Sequence, residues 1–201
     1  ETGMPNSASY LSVAGAFNYA EAATLRVPSD AVEGNSVEEH SRYIVDHFES
    51  MVEDRAGTLL LFSSKRQMEQ VYDELSRDLH KLILIQGQYS NREMVRLHKE
   101  RIDQGKTSVL LGLASFAEGV DLPGDYCKHV VIAKLPFAVP DDPLHEALSE
   151  WIEARGGNSF FDISLPIASL RLIQACGRLL RTESDTGTVS ILDKRLITKR
   201  Y

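Results

Sequence analysis

Five short runs of mostly apolar residues, at 58–62, 82–85, 107–111, 129–133 and 187–192, recur along the chain and are separated by longer segments with helical spacing of apolar positions. A strand that is apolar on both faces must be covered on both, and a parallel sheet with helices on either side is the arrangement that does so, with all five runs expected as central or near-central strands. The intervening segments agree. Ser36 to Glu39 has the pattern of a helix start, with a hydroxyl and a carboxylate placed to satisfy free backbone donors, and Val37, Ile44, Val45, Phe48, Met51 and Val52 follow at helical spacing. Ser63 and Ser64 precede a helix carrying Met68, Val71, Tyr72 and Leu75, and Ser90 to Glu93 repeats the start pattern before Met94, Leu97 and Ile102. Pro136, Pro140 and Pro143 break the chain after the fourth run, and helices are expected over 141–155 and 167–182. Strand–helix alternation of this kind implies βαβ units and an α/β fold. Residues 1–35, rich in Gly, Ser, Asn and Ala and containing Pro5 and Pro28, are expected to be a joining segment along the domain edge, with one domain over 36–201.

With 201 residues and 43% hydrophobic content the chain can bury the core of one domain. No apolar run approaches the roughly 20 residues that span a bilayer, and the first residues lack a basic stretch followed by an apolar block, so the expectation is a cytoplasmic protein without membrane contact. Cys127 and Cys176 are too few for a disulfide framework and read as core thiols, and no metal site is expected. A net charge of −7 argues mildly against nucleic acid as a partner while leaving room for a local basic strip.

In a parallel α/β sheet, ligands meet the loops beyond the carboxyl ends of the strands. No G-x-x-x-x-G-K-[ST] cradle and no G-x-G-x-x-G turn occurs here, so the chain is either not a nucleotide enzyme or only part of one. The strongest local signal is QACGRLLR at 174–181, where helical geometry would put Gln174, Arg178 and Arg181 on one face with Arg171 a turn earlier. Ile173, Cys176 and Leu180 would then anchor the helix to the sheet. Guanidinium forks suit phosphate oxygens, although a solvated arginine face has the same pattern. Gly177 inside a helix would cost about 1 kcal/mol relative to Ala, which points to close approach of another surface. The second signal is SFAEGVDLPG at 115–124, small residues with two carboxylates, Glu118 and Asp121, after the third apolar run. A capped structural turn has that composition too.

Taken together and in this order, the two segments resemble the last two motifs of superfamily 2 helicases of the DinG/XPD family, S-F-A-E-G-x-D-x-x-G and Q-x-x-G-R-x-x-R. The resemblance extends to Leu61-Phe62-Ser63-Ser64, to Gln86-Gly87, and to Asp193-Lys194-Arg195 after the last strand. It covers roughly 58–201 and is nearest to the bacterial DinG branch. It implies a RecA-like sheet of the P-loop NTPase type, namely the second, C-terminal motor domain, which carries no P-loop of its own. The Walker motifs and the four iron–sulfur cysteines of the family are absent, as expected if they belong to a preceding domain.

On that resemblance ATP and Mg²⁺ would sit mainly on the missing first domain, and this domain would close over the γ-phosphate. Arg178 and Arg181 would act as finger and sensor, with Gln174 positioning the phosphate or the attacking water. Glu118, Gly119, Asp121 and Gly177 would bind nucleotide or couple closure to a DNA-facing loop. Ser64, Ser115 and Phe116 would touch single-stranded DNA, by hydroxyl contact or base stacking, although Phe116 also suits the core. The partners implied are single-stranded DNA or a forked duplex and the first RecA-like domain. The whole enzyme would translocate 5′ to 3′ in DNA repair or replication, and the isolated chain would be inactive. Two other readings are a regulatory module that kept the fold but lost the motor, which the intact Gln174, Arg178 and Arg181 oppose, and a small-molecule enzyme, which would need a cofactor loop.

Overall fold

The computed structural model describes residues 9, 11, 18–137 and 143–200. Six strands form one sheet: β1 (Ala23–Arg26), β2 (Gly57–Phe62), β3 (Ile83–Ile85), β4 (Ser108–Leu113), β5 (His129–Ile132) and β6 (Gly187–Ile191). Their order is β1-β6-β5-β2-β4-β3, and every pairing is parallel. The helices are α1 (Tyr19–Ala22), α2 (Val37–Met51), α3 (Lys65–Glu74), α4 (Arg77–His80), α5 (Asn91–Asp103), α6 (Ala114–Glu118), α7 (Pro143–Glu153), α8 (Leu165–Cys176) and α9 (Arg195–Thr198). A π-type turn, Phe160–Ser164, leads directly into α8.

Alternation along β2 explains the layers. Leu59 and Leu61 face one core with Met94, Phe116 and Leu179, while Leu60 and Phe62 face the other with Ile44, Phe48, Met68 and Val71. Serine hydroxyls start the helices as the sequence suggests: Ser36 accepts from the Glu39 amide at 3.3 Å, Ser64 from Gln67 at 3.4 Å and Ser90 from Glu93 at 3.3 Å. Among the described residues no helix is long and apolar enough to cross a membrane.

Four expectations need correction. Ala23–Arg26, which the sequence assigns to a joining segment, is instead the edge strand β1, paired with β6. It carries no apolar run because only one of its residues is even half-buried. The run at 82–85, expected near the centre of the sheet, forms the opposite edge as β3 (Ile83–Ile85); these three residues are apolar because helices cover both faces of the strand, leaving none more than 5% exposed. Val37, in the expected inward stripe of α2, is exposed at the first turn. The helix expected over 167–182 stops at Cys176, with Gly177 as its cap. Leu179 and Leu180 remain buried beyond it, so their side chains continue the apolar periodicity after the backbone has left the helix. Pro140 and the first two residues of the expected 141–155 helix lie outside the described residues.

Candidate functional site

The chain leaves β2 toward β3 on one side and leaves β5 toward β6 on the other, so adjacent strands β2 and β5 send their connections apart. Such a switch point opens a crevice at the carboxyl ends of the strands. A cavity of about 290 Å³ lies there, with Phe62 at the end of β2 and Ser63 just after it, Ser115 and Glu118 from α6, and Arg171, Gln174 and Arg178 from α8 and its exit. Pro136 and Phe137, after β5, close its other side.

Local rules place each wall. Gly112 on β4 allows Phe116 to fold back, since a Cβ there would come within 2.5 Å of the phenyl ring. With Phe116 sunk in the core at 1% exposure, α6 is pinned to the sheet and turns Ser115 and Glu118 outward. The Gln86 side-chain carbonyl accepts from the Leu113 amide at 2.8 Å and steadies the start of that helix. On the β5 side, buried Asp193 accepts from the Leu135 amide at 3.1 Å and from the Arg195 guanidinium at 2.6 Å, fixing the strand exit that supplies Phe137.

The arginine segment and the acidic segment are joined directly. Arg178 Nη1 donates to the Val120 carbonyl at 3.3 Å, and Arg181 Nε donates to Asp121 at 2.8 Å. Burial and then the neighbouring Arg181 lower the Arg178 pKa, while Glu118 and Asp121 act to raise it. A guanidinium ordinarily titrates far above neutrality, so Arg178 is a half-buried cation, and among the described residues its hydrogen bond to the Val120 carbonyl leaves donors of the fork to spare. The cavity lining therefore offers phosphate-binding donors: two guanidiniums, one side-chain amide and hydroxyls. Among the described residues no group of three His, Cys, Asp or Glu could hold a metal ion.

The predicted site residues divide into three groups. Gln174, Arg178, Glu118 and Ser115 meet at the cavity. Arg181, Asp121 and Gly119 lie just beyond it, Arg181 engaged with Asp121 and Gly119 ending α6. Ser64 stands exposed as the cap of α3, with its hydroxyl occupied by the Gln67 amide. Phe116 is a correction: a ring 1% exposed is a core residue and has no face to offer a base. Gly177 is another. It caps the helix rather than interrupting it, and a Cβ there would meet only carbonyls of its own helix, so no second surface among the described residues requires it. Ile173 is 67% exposed and anchors nothing. Sequence reasoning did not single out Ser63, Pro136 and Phe137 as residues of the site, because a strand exit is marked only by the prolines.

Residues 48–201 match the helicase C-terminal domain family. The chain is 42% identical over 200 residues to the ATP-dependent DNA helicase DinG of Photobacterium profundum, a match covering 98% of this chain and 29% of that protein. It is 39% identical over 189 residues to the Escherichia coli (strain K12) protein of the same name, covering 92% of this chain and 26% of the relative. The fold is shared with an XPD helicase at a TM-score of 0.64 and 20% identity over 87% of this chain and 32% of that one. It is shared also with S. tokodaii Xpd4 at 0.62 and 17% identity, over 87% and 34% respectively. The six parallel strands, the paired acidic and arginine segments and these matches agree: the chain belongs to the helicase C-terminal domain family, with the RecA-like fold of that domain in DinG and XPD helicases.

Proposed function

We propose that this chain is the second motor domain of an ATP-dependent DNA helicase, and that it supplies the cationic wall of an ATP site completed by a first RecA-like domain. The observation that carries this reading is the cavity at the β2/β5 switch point, where Arg178 and Gln174 meet Ser115 and Glu118. The Arg178 guanidinium and the Gln174 amide are donors that suit the phosphate end of a nucleotide. Adenine, Mg²⁺ and the attacking water would be held chiefly by the other domain, and any iron–sulfur cluster would lie there as well. Bound ATP with Mg²⁺ supplies the phosphoryl group; the residues here orient it and stabilise charge. Arg178, half-buried and lining the cavity, acts as the finger on charge that develops during transfer. Gln174 orients the phosphate or the water. Arg181, joined to Asp121, senses closure and passes it to the acidic segment, with Glu118, Gly119 and Gly177 in the moving seam. Exposed Ser115 and Ser64 reach toward single-stranded DNA or the loading strand of a fork, through phosphate contacts that need no base readout. Translocation from 5′ to 3′ and a role in DNA repair or replication belong to this reading of the whole enzyme.

The test is Arg178→Ala in the complete enzyme. ATP turnover should fall on the order of 10³–10⁵-fold with nucleotide affinity nearly unchanged, because a finger acts mainly in the transition state. Arg178→Lys keeps the charge and loses the fork, and is expected to stay strongly impaired. A loss of less than about tenfold for the Ala variant would remove Arg178 from the mechanism.

A further inference from the structure

Two segments cross the same face of the domain side by side. One leaves the cavity as 119–128 and enters β5; the other leaves it as 177–186 and enters β6. Beyond the Arg178–Val120 and Arg181–Asp121 contacts, a third link joins them. The Asp185 carboxylate, 4% exposed, accepts from the Gly124 amide at 3.0 Å across the seam. Its other acceptor sites take the Arg181 amide at 2.7 Å, the Thr182 amide at 2.8 Å and the Thr182 hydroxyl at 2.7 Å. Four donors fill the acceptor capacity of an ionised carboxylate, which is about four lone-pair sites. Gly124 reaches its place with φ +62, a left-handed conformation that suits glycine, and this turns its N–H toward Asp185. Below the seam Val120, Leu122, Leu179 and Leu180 are buried, so the two segments share a floor as well as a stitch.

We propose that Asp185 is a positioning residue for ATP hydrolysis, holding the backbone of Arg181 and binding the arginine segment to the acidic segment so that the two move as one unit. It touches no reacting atom. It acts by fixing where Arg181 leaves the chain, three residues after Arg178, and by keeping that point tied to Gly124. Burial works against the charged form, but the Thr182 hydroxyl and the three amides more than offset this and hold the Asp185 pKa below the ordinary aspartate value. The link therefore stays intact across the neutral range. This inference rests on the motor reading above.

Asp185→Asn is the informative change, because an amide offers one acceptor oxygen where the carboxylate offers two. With that oxygen turned to the Arg181 and Thr182 amides, the local turn survives, the Thr182 hydroxyl can rotate to accept from the new NH₂ group, and that group faces the Gly124 N–H, so the link across the seam is the one lost. In the complete enzyme, DNA-stimulated ATP turnover should fall on the order of 10–10²-fold while KM for ATP stays within about twofold. Added to Arg181→Ala, Asp185→Asn should cause little further loss, since both act through one side chain. Ser190→Ala removes the hydroxyl bonded to the buried His129 at 2.7 Å, outside the cavity lining, and serves as the control: it should lower thermal stability and leave kcat near normal.

Wild-type kcat for Asp185→Asn, a loss that multiplies fully with that of Arg181→Ala, or an equal kcat loss in Ser190→Ala would each overturn the positioning role. If Arg178→Ala abolishes turnover while Asp185→Asn leaves it at the wild-type level, the motor reading stands and this inference alone fails; normal turnover in Arg178→Ala removes Arg178 as the finger, and a wild-type complete enzyme without DNA-stimulated ATP turnover removes the motor reading itself. Should Asp185→Asn not fold, Thr182→Val takes its place. A kcat loss with KM unchanged supports the role, and unchanged kcat refutes it.

Discussion

Two pairs of helices, α2 with α3 and α7 with α8, are built to different standards, although both faces of the sheet carry a buried core. In the first pair, α2 buries His40, Ser41, Tyr43, Ile44, Phe48 and Met51, and α3 buries Gln67, Met68 and Val71. In the second, α7 buries no residue and α8 only Ala168 and Ala175, while Leu148, Trp151, Leu170 and Ile173 stand exposed. The first pair keeps its polar groups satisfied internally: His40 bonds the Leu192 carbonyl at 2.9 Å and the Gln67 side chain at 2.8 Å. The second pair includes α8, whose end delivers Gln174 and Arg178 to the cavity. The comparison separates two tasks. Helices α2 and α3 are fixed to the sheet by their own buried side chains, and α8 presents chemistry on a helix that few buried side chains hold down.

The largest effect on stability should come from the first pair. Phe48→Ala empties a site where the ring is 1% exposed, and should cost about 3–5 kcal/mol in chemical unfolding of this chain. ATP turnover of the complete enzyme, corrected for folded fraction, should be unaffected. A cost under about 1 kcal/mol would erase the distinction between the pairs.

A pH dependence sharpens the comparison from within the core. His98 on α5 is 0% exposed, bonded to the Ser108 hydroxyl at 2.9 Å and the Tyr126 carbonyl at 2.7 Å. Burial pulls its pKa from 6.5 down to about 4, and His40 and His129 shift the same way. Above pH 6.5 the ring is neutral in both states and its contribution is complete. As the pH falls toward 4 the unfolded chain takes up a proton that the folded chain refuses, so stability is lost, by roughly 3 kcal/mol at most for this residue. Unfolding curves between about pH 7.5 and 4.5 should show this decline, less steep in His98→Gln; identical slopes would mean that other groups cause it.

The smallest effect is expected in the second pair. Trp151 is 54% exposed, with Arg155 stacked on its ring at 3.7 Å. Trp151→Ala should change the unfolding free energy of this chain by less than about 1 kcal/mol. A loss as large as that of Phe48→Ala would show α7 to be part of the core after all.

How much of this is legible in the sequence follows from what each signal reports. Apolar runs report burial, so β2 to β6 are visible, and β1, largely exposed, is not. For the same reason burial does not tell the covered edge strand β3 from a central one. Periodicity reports side-chain direction, so Leu179 and Leu180 extend the apparent helix past Gly177, where the backbone has already turned. Residue types report chemistry but not exposure: Phe116 in SFAEG suits stacking and core alike, and its place against Gly112 decides for the core. The pairing of Asp121 with Arg181 spans 60 residues and that of Gly124 with Asp185 spans 61, so only the fold brings them together.

The edge strand β1 has a practical consequence. It hydrogen-bonds along β6 from Ala23 against Gly187 to Arg26 against Ser190. A shortened protein beginning at residue 36, where the helix-start signal invites a cut, would strip that strand away and leave the backbone amides and carbonyls of β6 open along one side. Exposed, apolar sheet edges recruit other chains. Such a truncation would keep every residue of the cavity and still be prone to precipitate, with solubility rather than catalysis the first property lost.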